Sequence, residues 1–251
     1  MGILTKGKMD TTNYKHLSKR SIAFWGDSLT EGFPGVSYFE ILKQRLPEDN
    51  LINYGKGGDT VLSLYRRLKR TQLSQPVDIA FLWVGVNDIF VKLSGSYLVY
   101  KTILNQPWTR NYEEFERYYR LTLEILCQHA NKVITVPPLF LGEGPNNKWN
   151  RELGMLSRII KQVSNLHPKV NYLDLRKIIY PQLSDKKTSA YLPASLTRIG
   201  LDTLLLKQKA QIDKMAFERG LVFTLDGVHL NSRGAEIVAD IFLENIKALR
   251  G

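Results

Sequence analysis

Val77-Asp78-Ile79-Ala80-Phe81-Leu82-Trp83-Val84, stopped by Gly85, is the stretch that decides the fold. Apart from Asp78 it is apolar throughout. A strand with one wet face alternates polar and apolar residues, so an unbroken run of this length is a strand buried on both faces. Outward from it the same signal repeats. Upstream, Ser21-Ile22-Ala23-Phe24-Trp25 ends at Gly26, and Leu51-Ile52-Asn53-Tyr54 ends at Gly55. Downstream, Lys132-Val133-Ile134-Thr135-Val136 ends at Pro137-Pro138, and Val170-Asn171-Tyr172-Leu173-Asp174-Leu175 follows. Helical spacing separates the strands: Tyr38, Ile41, Leu42 and Leu46; Val61, Leu62, Leu64, Tyr65 and Leu68; residues 112–130; residues 150–166; and a closing helix from Ala235 to Leu249. This alternation predicts a three-layer α/β sandwich around a five-stranded parallel sheet, flavodoxin-like in order under the right-handed crossover rule. Ligands of such sheets bind beyond the carboxyl ends of the strands, so the residues just after each strand carry the functional reading.

Composition bounds the rest. The 251 residues are 43% hydrophobic, too apolar for disorder, and a chain this long needs no metal or disulfide staple. Cys127 stands alone, which excludes an internal disulfide and a four-cysteine zinc cluster. No stretch approaches the roughly 18 apolar residues of a membrane span. The N-terminus carries no apolar signal core, and Lys6 occupies the position where a myristoylation motif at Gly2 needs Ser or Thr. The expectation is a cytoplasmic protein with residues 1–19 as a loose arm and 20–251 as one domain. Lys and Arg outnumber Asp and Glu by 35 to 24, giving a formal charge of +11. That balance raises a rival reading, a non-catalytic binder of anionic membrane or nucleic acid. The charges are dispersed, however, and their densest knot, Arg66, Arg67, Lys69 and Arg70, falls on a helix as a solvated face.

Several motifs fail. Gly2 to Lys8 approaches a P-loop, but Met9 stands where Ser or Thr belongs and no strand precedes it. Gly55, Gly57 and Gly58 complete no dinucleotide fingerprint, and there is no Gly-x-Ser-x-Gly elbow. Four other segments fall at the expected carboxyl edge: Gly26-Asp27-Ser28-Leu29-Thr30, Gly55-Lys56-Gly57-Gly58-Asp59-Thr60, Gly85-Val86-Asn87-Asp88, and Asp226-Gly227-Val228-His229-Leu230-Asn231. Ser28 lies on a strand-to-helix turn, exposed and backed by a helix N-terminus, and needs a base to become a nucleophile. His229 is the histidine at that edge, and Asp226 precedes it by three residues, close enough to fix its tautomer. Acyl transfer also needs donors for a developing oxyanion; the Ser28 and Gly58 N–H groups and the Asn87 amide are candidates. Singly, each piece reads as a turn or a cap. Together and in this order they read as a serine-nucleophile site.

These residues resemble the SGNH/GDSL hydrolase superfamily. Gly26-Asp27-Ser28-Leu29 is similar to its first block, Asn53 with Gly58-Asp59-Thr60 to its second, Gly85-x-Asn87-Asp88 to its third, and Asp226-x-x-His229 to its fourth. The resemblance covers residues 20–90 and 224–248 and implies roles: Ser28 as nucleophile, His229 as base, Asp226 as its orienting acid, and Ser28, Gly58 and Asn87 as the oxyanion hole, with Gly26, Asp27 and Asp88 in support. It implies an esterase or lipase without metal or cofactor, acting on a small-molecule ester. No nucleic-acid partner is expected, and an oligomer stays open. Family members also include thioesterases and carbohydrate deacetylases, so acyl and alcohol groups are not implied.

Two stretches depart from the family pattern. Residues 89–111, with Tyr97, Tyr100 and Trp108, lengthen the loop after Asn87. Residues 183–222 form a long segment before Asp226, in which Leu196, Ile199, Leu204, Leu205, Ile212 and Met215 recur near helical spacing. The expectation is that the second stretch is a helical insertion near the site, a lid or acyl wall. Together with the aromatic loop it favours a short- to medium-chain, aryl or lipid ester, with carbohydrate deacetylase or thioesterase as the alternative. His16, His129, His167 and Cys127 read as structural or exposed.

Overall fold

A computed structural model describes residues 19–249 except 74, 94, 104, 145, 185–190 and 193–207. The strands are β1 (Ser21–Gly26), β2 (Asn50–Gly55), β3 (Val77–Trp83), β4 (Ala130–Val136) and β5 (Val170–Tyr172). All pair in parallel, in the order β2-β1-β3-β4-β5. This is the flavodoxin-like order that the strand–helix alternation predicts.

The unbroken apolar runs have a direct structural cause. Successive side chains of a strand point to opposite faces. Ile22, Phe24, Ile79, Phe81, Trp83, Ile134 and Val136 enter one core. Their neighbours Ala23, Trp25, Ala80, Leu82, Val84 and Val133 enter the other. Both faces need helical cover, so both sets must be apolar.

On the first face lie α2 (Tyr38–Arg45), α8 (Leu175–Ser184), α9 (Lys209–Glu218) and α10 (Ser232–Ala248). Phe242 of α10 meets Phe81 at 4.7 Å, Tyr38 at 5.1 Å and Trp83 at 5.8 Å between ring centroids. On the second face lie α3 (Val61–Leu68), α4 (Val86–Leu93), α5 (Gly95–Ile103), α6 (Tyr112–His129) and α7 (Lys148–Ser164). A short helix, α1 (Ser28–Glu31), follows β1 directly. Side-chain caps fix several helix starts: Ser37 on the Glu40 N–H, Asn111 on Glu114, Asn147 on Asn150 and Asn231 on Gly234.

Three boundaries differ from the sequence reading. The fifth strand stops at Tyr172, and Leu175, expected to end it, begins α8. Asp174 accounts for the switch, because its carboxylate accepts the Lys177 N–H at 3.1 Å and turns the chain into a helix. The expected loop 89–111 contains the end of α4 and all of α5. Of the expected insertion 183–222, α9 packs Ile212 into the first core with Met215 against it; Leu196, Ile199, Leu204 and Leu205 lie outside the described residues, as does most of the expected arm 1–19. Among the described residues no helix is long and apolar enough to cross a membrane.

Candidate active site

Strand register sets the site. Gly26 lies opposite both Gly55 and Trp83, and Trp83 lies opposite Val136, so the chain leaves β1, β2 and β3 at one level. Ser28 is the first residue of α1. Asp27 caps that helix, its Oδ1 accepting the Leu29 N–H at 3.0 Å. The turn is tight enough to exclude a side chain at Gly26, where a Cβ would lie 2.2 Å from Thr30 Oγ1 and 2.5 Å from the Trp83 carbonyl.

The loop after α9 returns to meet this turn. Thr224 bridges to Leu230, and the Leu225 N–H donates to the His229 carbonyl at 2.7 Å. The Val36 N–H donates to the Leu230 carbonyl at 2.8 Å, tying this loop to the segment behind Ser28. His229 Nε2 stands 2.9 Å from Ser28 Oγ, and His229 Nδ1 stands 2.7 Å from Asp226 Oδ2. The other carboxylate oxygen, Asp226 Oδ1, accepts the Val228 and His229 N–H groups at 3.0 and 2.8 Å. Burial alone would raise the Asp226 carboxyl, but His229 and these N–H groups outweigh it and hold the pKa below the usual carboxylate range. The carboxylate is therefore charged at neutral pH, and it fixes the ring with Nε2 toward Ser28.

The remaining expected residues lie on neighbouring loops, and the Lys56 N–H joins the glycine loop to the turn before Ser28 by donating to the Gly26 carbonyl at 3.1 Å. Gly58 has φ +77°, a conformation that favours glycine. Asn87, near the start of α4, donates from Nδ2 to the Asp59 carbonyl at 3.0 Å and keeps a second Nδ2 proton. Among the described residues neither the Ser28 nor the Gly58 backbone N–H donates a hydrogen bond. Asp88 is a scaffold group: its carboxylate accepts the Val61 N–H at 3.0 Å and the Thr109 hydroxyl at 2.9 Å, joining α3 to the chain after α5. Burial pushes the Asp88 carboxyl up to about 6 and Asp27 up to about 7. Asn53 donates to the Thr30 carbonyl and accepts the Gly55 N–H, both at 2.8 Å, fastening β2 to α1.

Sequence reasoning missed four contributors. Glu31 accepts the Gly57 N–H at 2.7 Å. Glu143 accepts from the Val222, Phe223 and Thr224 N–H groups and from the Thr224 hydroxyl, which shapes the loop carrying Asp226 and His229. Tyr97 donates to Asn87 Oδ1 at 2.9 Å, and Lys101 donates to the Gly58 carbonyl. Tyr97 had a weak signal as an aromatic residue in a long loop after Asn87. Lys101 had none among 35 Lys and Arg residues. His129, on α6, bonds the Ile125 carbonyl from Nδ1 at 2.9 Å, and burial raises the Cys127 thiol, in keeping with structural roles. Among the described residues no cluster of His, Cys, Asp and Glu could hold a metal ion.

A serine within hydrogen-bond reach of an aspartate-oriented histidine has the nucleophile and base that acyl transfer from an ester requires. The family model for GDSL-like lipase/acylhydrolases matches residues 24–237, and the chain belongs to that family of carboxylic ester hydrolases. Solved structures agree in fold. The acetyl xylan esterase AlAXEase is 22% identical, with a TM-score of 0.61 over 90% of this chain and 99% of its own. Axe2, an acetylxylan esterase from Geobacillus stearothermophilus, is 19% identical, with a TM-score of 0.62 over 90% and 94%. LAE5, an alpha/beta hydrolase enzyme from the metagenome of Lake Arreo, Spain, is 17% identical, with a TM-score of 0.59 over the same shares. Axe2 has also been solved as catalytic mutants in which a serine, an aspartate or a histidine is replaced by alanine. No curated protein matches the chain in sequence.

Proposed function

We propose that the chain hydrolyses short-chain carboxylic esters through an acyl-enzyme on Ser28. His229 Nε2 takes the Ser28 proton as Oγ attacks the carbonyl carbon, and the tetrahedral intermediate's oxygen receives the Ser28 and Gly58 N–H groups and the free Asn87 amide proton. His229 returns the proton to the leaving alcohol. A water, deprotonated by His229, then attacks the acyl carbon and restores the serine. Asp226 stabilises the imidazolium in both halves without taking a proton itself. The carrying observation is the continuous chain Ser28 Oγ, His229, Asp226 at 2.9 and 2.7 Å. The serine, aspartate and histidine of the Axe2 catalytic mutants support the same assignment.

Packing favours a short acyl group. Three aromatic residues of the stretch after Asn87 are engaged inside the protein: Phe90 and Tyr97 pack edge to face at 4.9 Å, Tyr97 also holds Asn87, and Trp108 lies against the second core. A second reading, a carbohydrate O-acetyl esterase, has support in the acetylxylan esterases of matching fold.

A panel of p-nitrophenyl esters from acetate to palmitate, with acetylated xylo-oligosaccharides alongside, tests both. The expected result is kcat/KM highest for acetate and falling with chain length, and a loss of about 10⁴-fold or more in kcat for Ser28→Ala. A maximum at octanoate or longer would overturn the short-chain reading, and a Ser28→Ala protein with more than a tenth of wild-type turnover would overturn the mechanism. Acetate release from the oligosaccharides decides the second reading.

A further inference from the structure

Helix α5 lies in the insertion after Asn87 and turns two polar side chains inward. Tyr97 and Lys101 are four positions apart, hence on one helix face. The Tyr97 hydroxyl donates to Asn87 Oδ1 at 2.9 Å. The Lys101 ammonium donates to the Gly58 carbonyl and, at 2.9 Å, to Gln106 Oε1. Lys101 is 0% exposed. Burying an ammonium is costly unless it is paired, and among the described residues no carboxylate lies within salt-bridge distance of it. A methionine would fill the space without that cost. Packing therefore does not explain the lysine; its position against Gly58 does.

We propose that Tyr97 and Lys101 are a positioning pair for the oxyanion hole. Tyr97 sets the orientation of the Asn87 amide. Lys101 clamps the Gly58 peptide and lends positive charge to the place where the substrate's carbonyl oxygen becomes negative. The proposal rests on the ester-hydrolase reading of Ser28, Gly58 and Asn87.

The hydrogen bonds allow one arrangement. The Asp59 carbonyl can only accept, so Asn87 must turn Nδ2 toward it, and Oδ1 must then accept from Tyr97. Without the Tyr97 hydroxyl, Oδ1 loses its buried donor and the amide is freer to turn. The glycine loop is held from three sides: Glu31 takes the Gly57 N–H, Lys101 takes the Gly58 carbonyl, and Asn87 takes the Asp59 carbonyl. Among the described residues the Gly58 N–H donates no hydrogen bond. Preorganised donors of this kind act on the transition state and not on the bound ester, so their loss appears in kcat.

The charge on Lys101 is sensitive to pH. Asp59, Asp88 and Asp27 face it and favour the ammonium, Lys56 opposes it, and the Tyr97 ring lies 5.4 Å from Nζ. Burial is the largest influence and brings the pKa down to about 8. The ammonium is thus present below that value and lost above it. A histidine base alone gives a kcat that rises with pH and then stays level; loss of the Lys101 charge adds a descending limb.

The test measures kcat and KM for p-nitrophenyl acetate from pH 6 to 10 at the isosbestic wavelength of the product. Wild type, Tyr97→Phe, Lys101→Met, Lys101→Arg and Ser28→Ala are compared. Wild-type kcat is expected to fall about tenfold above a midpoint near pH 8 with KM unchanged. At pH 7 Lys101→Met and Tyr97→Phe lose about tenfold in kcat and little in KM. Lys101→Arg keeps the charge and loses the descending limb. Wild-type kcat at pH 7 in folded Lys101→Met and Tyr97→Phe proteins overturns the proposal, and a wild-type kcat that stays level to pH 10 removes the Lys101 charge from it. Ser28→Ala separates the two readings. If it turns over ester like wild type, the site reading fails; if it is inactive while Lys101→Met and Tyr97→Phe keep wild-type kcat, only the positioning pair fails.

Discussion

Two buried aspartates near one serine behave in opposite ways, and their partners explain it. Asp226 receives two backbone N–H groups on one oxygen and His229 on the other, which holds its carboxylate charged. Among the described residues Asp27 receives the Leu29 N–H alone, and burial pushes it up to about 7. The sign of its effect on stability follows. An unfolded Asp27 releases its proton near 3.8, whereas the folded one holds it to about 7, so the native state loses stability as pH rises through that window. Asp27→Asn cannot ionise and still offers an acceptor to Leu29. Thermal melts at pH 4.5 and 8 should show the variant gaining on wild type at the higher pH; parallel shifts at both would contradict the burial argument. At this scale the sequence was informative where chemistry meets a strand end. Ser28, Asn87, Asp226 and His229 are legible as a set: singly each reads as a turn or a cap, and only their order at the strand ends points to a serine-nucleophile site. Lys101 was not, because its partner Gly58 is 43 residues away and a lysine usually faces water.

Among elements, the loop that carries Asp226 and His229 depends on a residue from another part of the chain. Residues 221–231 have little regular pairing of their own, and Glu143, from the turn after β4, accepts three of their N–H groups and one hydroxyl. Glu143→Ala leaves those donors buried and unanswered, at ~1–3 kcal/mol each before relaxation. The expected outcome is a loss of about 3–5 kcal/mol in urea unfolding, with ester turnover falling alongside. A loss below 1 kcal/mol would mean that the loop holds its shape unaided. Neither this clamp nor α5 was legible. Gly142-Glu143-Gly144-Pro145 reads as an exposed turn, and α5 begins with Gly95 and Ser96 and includes Val99, Thr102 and Ile103, residues of weak helix propensity. Tertiary contacts through Tyr97 and Lys101 favour that helix where local preference does not.

For the whole molecule, the alternation of strands and helices was enough to give the layers and the sheet order. Each interior strand carries two apolar faces, and only a sheet covered on both sides can satisfy them. The same reading puts the candidate site at one edge, since parallel strands of matched register bring the turns after β1, β2 and β3 to one level. The central claim is that this edge holds one activated serine. Titration with a fluorophosphonate, followed by intact-mass analysis and peptide mapping, tests it most directly, because only a serine paired with a working base reacts rapidly. One adduct per chain is expected, on Ser28, with activity lost in proportion to labelling and no adduct on a folded His229→Ala protein. Ester hydrolysis that survives full labelling, or an adduct on any other residue, would contradict it.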